Sequence, residues 1–131
     1  MEIVTLENMQ NFNDCYKAIE WAKSQYGEYP SRPSKPYLKH GHSSIEAKQY
    51  VIDLEDWEKT KADYDKNMIA YKGNQNAITE VIVEYIKDMA GLNTIPEQYR
   101  DKVYRQAWED GHSSGYYEVY LKLDSLVDIF N

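Results

Sequence analysis

The chain has one cysteine, Cys15, so no intramolecular disulfide can form and no paired-cysteine zinc or redox motif exists. It also lacks a surplus of positive charge. Its formal net charge of −7 removes the electrostatic attraction that drives non-specific binding to nucleic acid or to an anionic membrane, and neither is expected as a partner. Long apolar runs are absent, and the opening MEIVTLEN has neither the basic start nor the apolar stretch of a secretory leader. A cytoplasmic protein is the expectation. Phenylalanine is nearly missing too, with 2 Phe against 13 Tyr and 3 Trp. Tyrosine joins a large rigid ring to a polar tip, which suits half-wet surfaces as well as core edges.

What remains is helical in period. At 131 residues the chain is long enough for one domain with a real core, and residues 1–131 are expected to form a single helical domain. Met9, Phe12, Tyr16, Ile19 and Tyr26 predict a first helix ending at Gly27. Prolines 30, 33 and 36 then recur every third residue, which favours polyproline II. This arm, residues 30–42, carries Arg32, Lys35 and Lys39 and no acid. It has the form of a ligand for aromatic grooves, although inside a compact domain the protein's own tyrosines more commonly hold such a segment.

Ser43 and Glu46 have capping-box spacing and open a long helix to Lys72. Its seam is Ala47, Tyr50, Leu54, Trp57, Lys61, Tyr64, Met68 and Tyr71, expected to be buried against a neighbouring helix or a second copy of the chain. Gly73 and Asn74 favour a hairpin into a third helix carrying Ile78, Val81, Ile82, Tyr85, Ile86 and Met89, though one kinked continuous helix also fits. Thr94, Pro96 and Glu97 predict the cap and first turn of another helix. Tyr116, Val119, Tyr120, Leu123, Leu126, Val127 and Phe130 form the apolar stripe of the last. Apart from a short edge strand over Glu2 to Leu6, no strand is expected. The predicted fold is all-α: an antiparallel helical bundle of about five helices with the proline-rich arm across it.

GHSS occurs twice, at Gly41 to Ser44 and Gly111 to Ser114, and the second copy continues to Gly115. GHSSG fits G-x-S-x-G with Ser113 as nucleophile, but that chemistry needs a strand entering the turn, and YRQAWED reads as helix. Gly111 and Gly115 instead suit a close helix approach or a turn, with Ser113 or Ser114 as N-cap. Two H-x-S units resemble the paired signature of two-histidine phosphoesterases, without the apolar strand flanks of those enzymes. His40, His42 and His112 with Glu118 or Asp110 would make a metal site if the arm folded back, but no ligand-spacing motif supports one. No catalytic residue, cofactor or metal is therefore assigned. The candidate binding residues are Arg32, Lys35, Lys39, His42, His112, Ser113, Tyr116 and Tyr117.

The arm PSRPSKPYLKHGH, the helix QYVIDLEDWEKTKADYDKNMIAY and the ending AWEDGHSSGYYEVYLKLDSLVDIF together resemble a recurrent type of small tailed-phage protein of unassigned function. The most specific part is W-x-x-G-H-S-x-G-x-x-E-V. The resemblance implies a phage-encoded accessory protein acting inside an infected bacterium, and it brings no catalytic residues. The expected function is non-enzymatic binding of a host or anti-phage defence protein, with homo-oligomerisation through the 44–72 helix as a possibility. The alternative is a protein that captures or cleaves a phosphorylated nucleotide between Arg32, Lys35, His42 and His112.

Overall fold

The computed structural model describes residues 3–131. Five helices account for most of it: α1 Leu6–Gln10, α2 Cys15–Ser24, α3 Ser44–Met89, α4 Glu97–Gly111 and α5 Tyr116–Phe130. Short 3₁₀ turns cover Leu92–Thr94 and His112–Ser114, and no strand occurs among the described residues. Glu2, where the edge strand was expected to start, lies outside the described residues, and Leu6 is already helical. No helix among the described residues is long and apolar enough to cross a membrane.

The chain divides into two compact units. The first joins the residues up to Gly27 with Gln75–Asn131, and the second is Glu28–Asn74. All buried apolar side chains belong to the first unit. Ile78, Ile82, Tyr85 and Ile86 of α3, Val103 and Ala107 of α4, and Val119, Leu123 and Val127 of α5 recur at helical spacing and meet in one core with Met9, Ile19 and Ala22. Each larger aliphatic side chain sealed there contributes about 1.5–3 kcal/mol. The apolar stripe of α5 is buried as its spacing predicts at Val119, Leu123 and Val127, whereas Phe130 is exposed and leans on Tyr99 at 5.5 Å between ring centroids.

Three local expectations are corrected. The first predicted helix is broken into α1 and α2, because the Asp14 carboxylate accepts from the backbone amides of Tyr16 and Lys17 and so restarts the helix as its N-cap. Asn11, Asn13 and Asp14 cluster at the break, residue types whose side chains compete with helical hydrogen bonding. Gly73 does not end α3. A lone glycine costs a helix about 1 kcal/mol, and α3 continues past it to bury Ile78, Ile82, Tyr85 and Ile86. Thr94 caps nothing at α4: its hydroxyl donates to the Gly91 carbonyl, and α4 begins after Pro96 without a side-chain cap.

In the second unit Ser43 caps α3, with the Glu46 amide donating to Ser43 Oγ at 3.2 Å and the Ser43 hydroxyl in turn donating to the Glu46 carboxylate at 3.4 Å. The predicted seam from Ala47 to Tyr71 is half-buried along its whole length. Its cover is the proline arm of the same unit, not another helix. Tyr29 meets Tyr71 edge-on at 5.2 Å, Lys35 Nζ sits 5.4 Å from the centre of the Trp57 ring, and Lys39 reaches Glu46 at 3.9 Å. The arm therefore runs antiparallel to α3. Pro30, Pro33, Pro36 and Leu38 are the half-buried positions of the arm, and the residues between them are exposed. The repeat lengths are compatible: three polyproline residues advance about 9 Å and one heptad of α-helix about 10.5 Å, so the two repeats keep nearly in step along the arm.

Candidate binding surface at the GHSSG turn

The turn between α4 and α5 is built by its two glycines, which do different things. A Cβ on Gly111 would lie 2.8 Å from the Val119 nitrogen and 2.9 Å from the Glu118 carbonyl carbon, so the absence of a side chain lets the end of α4 approach the backbone of α5. Gly115 faces open space. Its φ of +108° with ψ of 174° is a conformation that only glycine adopts readily, and it redirects the chain into α5. The expected serine N-cap of α5 does not form: Gly115 occupies the N-cap position with no side-chain bond, and Ser113 and Ser114 lie exposed in the 3₁₀ turn. Ser113 follows a helix, not a strand.

His112 is held from behind. Its Nδ1 lies 2.7 Å from the Trp108 carbonyl oxygen, which can only accept, so Nδ1 carries the proton and donates. In the neutral imidazole Nε2 is then an acceptor. The ring also stacks on Trp108, with centroids 5.0 Å apart and planes 16° from parallel. Tyr116 packs on the same indole at 6.0 Å. A second ring group lies at the start of α2 and α5: Tyr117 meets Tyr16 edge-on at 5.3 Å and stacks with Tyr120 at 6.0 Å. Trp108 is 37% exposed and Tyr16 51%, so both groups reach the surface.

Beneath the second group lies a polar spot in the core. The Tyr85 hydroxyl is buried without a hydrogen-bond partner among the described residues. Burial, and then the neighbouring Cys15 thiol, raises the Tyr85 pKa well above its ordinary value. The same causes push Tyr120 up to about 12. Burial, followed by Tyr116 and Glu84, also raises Tyr104, whose ring takes Lys87 Nζ at 4.7 Å. All three phenols stay protonated at neutral pH.

The first GHSS copy repeats one feature of the second, since His42 Nδ1 lies 3.2 Å from the Lys39 carbonyl oxygen. The two copies fall in different units, His42 in the second and His112 in the first. No group of three His, Cys, Asp or Glu side chains able to hold a metal occurs among the described residues. Two of the acids considered as ligands have local partners: both Asp110 oxygens accept from Gln106 Nε2 at 3.1 Å, and Glu118 pairs with Lys122 at 3.9 Å. In the arm, Lys35 and Lys39 reach toward α3, and all three basic side chains, Arg32 included, are exposed.

The candidate residues His112, Tyr116 and Tyr117 thus share one turn with Ser113, while Arg32, Lys35, Lys39 and His42 belong to the arm's unit. Sequence reasoning missed Trp108 and Tyr16. Trp108 precedes His112 by one helical turn and could have been found by that spacing. Tyr16 joins Tyr117 across about a hundred residues of chain, which no local pattern reveals.

Residues 23–131 match a family described as "Family of unknown function (DUF8546)". The chain belongs to this family. No curated protein and no solved structure matches it.

Proposed function

We propose that this chain is a non-enzymatic binding protein, of the phage accessory type its sequence resembles, that engages a host or anti-phage defence protein in the cytoplasm of an infected cell. The observation that supports this most is the pair of ring groups fixed around the GHSSG turn. Trp108, His112 and Tyr116 on one side, and Tyr16 and Tyr117 on the other, are large rings held by helices and partly open to solvent. Rings of this kind bury much area at little conformational cost, and Trp and Tyr dominate the energetics of protein interfaces. The Gly111 contact fixes the helices that carry them.

Less of the arm is free than its sequence suggests. Lys35 and Lys39 contact α3 while staying exposed, and Arg32 is exposed as well. The arm is secondary in this reading. Affinity purification of the tagged chain from infected cells tests the proposal: one co-purifying protein in stoichiometric amount is expected. Recovery of the chain alone, under conditions that preserve weak complexes, would contradict it.

A further inference from the structure

The chain's single thiol, Cys15, stands at the first position of α2 and is half-buried, packed against the core of the first unit but not sealed in it. Two tyrosine hydroxyls from other helices approach its sulfur, Tyr85 from α3 and Tyr120 from α5. Tyr85 is 1% exposed, and its hydroxyl has no hydrogen-bond partner of good geometry among the described residues. A buried hydroxyl left that way is costly, and a thiol sulfur is too weak an acceptor to offset the cost. Both phenols keep their protons at neutral pH, so each is a donor facing a poor acceptor. What the cluster lacks is one strong acceptor, and the place where a single atom would serve both donors is on the sulfur.

We propose that Cys15 is an oxidation site whose sulfenic acid is held by the hydroxyls of Tyr85 and Tyr120. The oxidant is hydrogen peroxide. The thiolate sulfur attacks one peroxide oxygen, the S–O bond forms as the O–O bond breaks, and sulfur gives up two electrons while the other oxygen leaves as hydroxide and takes a proton to become water. The new oxygen accepts from both phenols, which satisfies Tyr85 and stabilises the product relative to the thiol. With no second cysteine, the chain cannot convert that product to an internal disulfide. Tyr120 also stacks with Tyr117, which meets Tyr16 edge-on, so rings flank the sulfur and hinder a bulky thiol from outside. The cluster thus sets the lifetime of the sulfenic acid, not the speed of its formation. This inference is independent of the binding function proposed above.

The test treats the purified full-length chain with a small molar excess of hydrogen peroxide and follows Cys15 by peptide mass mapping and by dimedone capture. One added oxygen on Cys15, captured by dimedone and persistent after the peroxide is removed, is expected. A Tyr85→Phe, Tyr120→Phe variant with the helical content of the wild type should lose its dimedone-reactive form roughly tenfold faster, as the loss of about one net hydrogen bond predicts. Tyr16→Phe should leave the lifetime unchanged. The wild-type chain unfolded in urea should lose the same species at least roughly tenfold faster than the folded chain, a comparison that needs no variant. No oxygen at Cys15, rapid passage to the sulfinic acid or to a disulfide-linked pair of chains, or an unchanged lifetime in the folded double variant would each overturn the proposal. Equal lifetimes in the folded and unfolded wild type would overturn it as well.

Discussion

Gly111 and Gly115 separate two reasons for a glycine, and their alanine variants should differ accordingly. At Gly111 the new methyl meets backbone atoms that cannot rotate away, so Gly111→Ala is expected to cost about 1–3 kcal/mol or more through overpacking. At Gly115 the space is open and the cost, of order 1–3 kcal/mol, is conformational. Denaturant melts measure both losses. Paired deletion distinguishes them, since shrinking Val119 cannot rescue Gly111→Ala when the clash is with its backbone. Both glycines were legible from their spacing, and which did what was not, because a close approach depends on where a distant helix runs. Tyr85 makes an opposite case. The Tyr85 hydroxyl has no hydrogen-bond partner of good geometry among the described residues, only the weakly bonding Cys15 thiol nearby, so Tyr85→Phe should leave stability unchanged or raised. The raised phenols also set a pH response. With a folded pKa of about 12 for Tyr120 against 10.0 ordinarily, the folded chain keeps a proton that the unfolded chain loses first. Stability is full below pH 10.0 and falls as pH rises through about 12, with Tyr85 and Tyr104 acting in the same direction. Tyrosinate absorbance followed alongside unfolding should show that window, and a melt independent of alkaline pH would contradict it.

At the scale of elements, α2 depends on its start. Asp14→Ala should cost about 0.5–2 kcal/mol by leaving two first-turn amides unpaired, measurable by thermal or chemical melting. The arm and α3 depend on each other through ring and proline contacts. Trp57→Ala removes the surface beneath Lys35, so amide exchange across residues 30–42 should accelerate, while Lys35→Ala alone should change stability by no more than about 1 kcal/mol. The seam from Ala47 to Tyr71 was readable because its threes and fours are local. Its cover was not, since a helical period reports which face seeks burial and never what buries it. The same limit explains α3. Gly73 looked like a stop, but the apolar residues on its far side keep the helix going.

For the whole molecule, the all-helical class followed from period and composition, and the division into two units did not. The clue lay in side-chain type. Residues 28–74 hold their seam with Tyr, Trp, Met and Leu, and leave Ile45, Val51, Ile52 and Ile69 exposed, whereas the first unit buries most of its valines and isoleucines, Ile3 and Ile129 being its exposed ones. Charge divides in the same way, with the excess acid confined to the first unit. The proposed contact surface was the least legible level, because the rings assigned to it come from α2, α4 and α5 and meet only after folding. The central claim is that those rings are the contact surface for a partner protein. Its most direct measurement is quantitative capture from infected cells with the wild-type chain and with a Trp108→Ala, Tyr117→Ala variant whose helical content and melting behaviour match the wild type. Loss of the co-purifying protein from the variant is the predicted result, and its undiminished recovery would contradict the account.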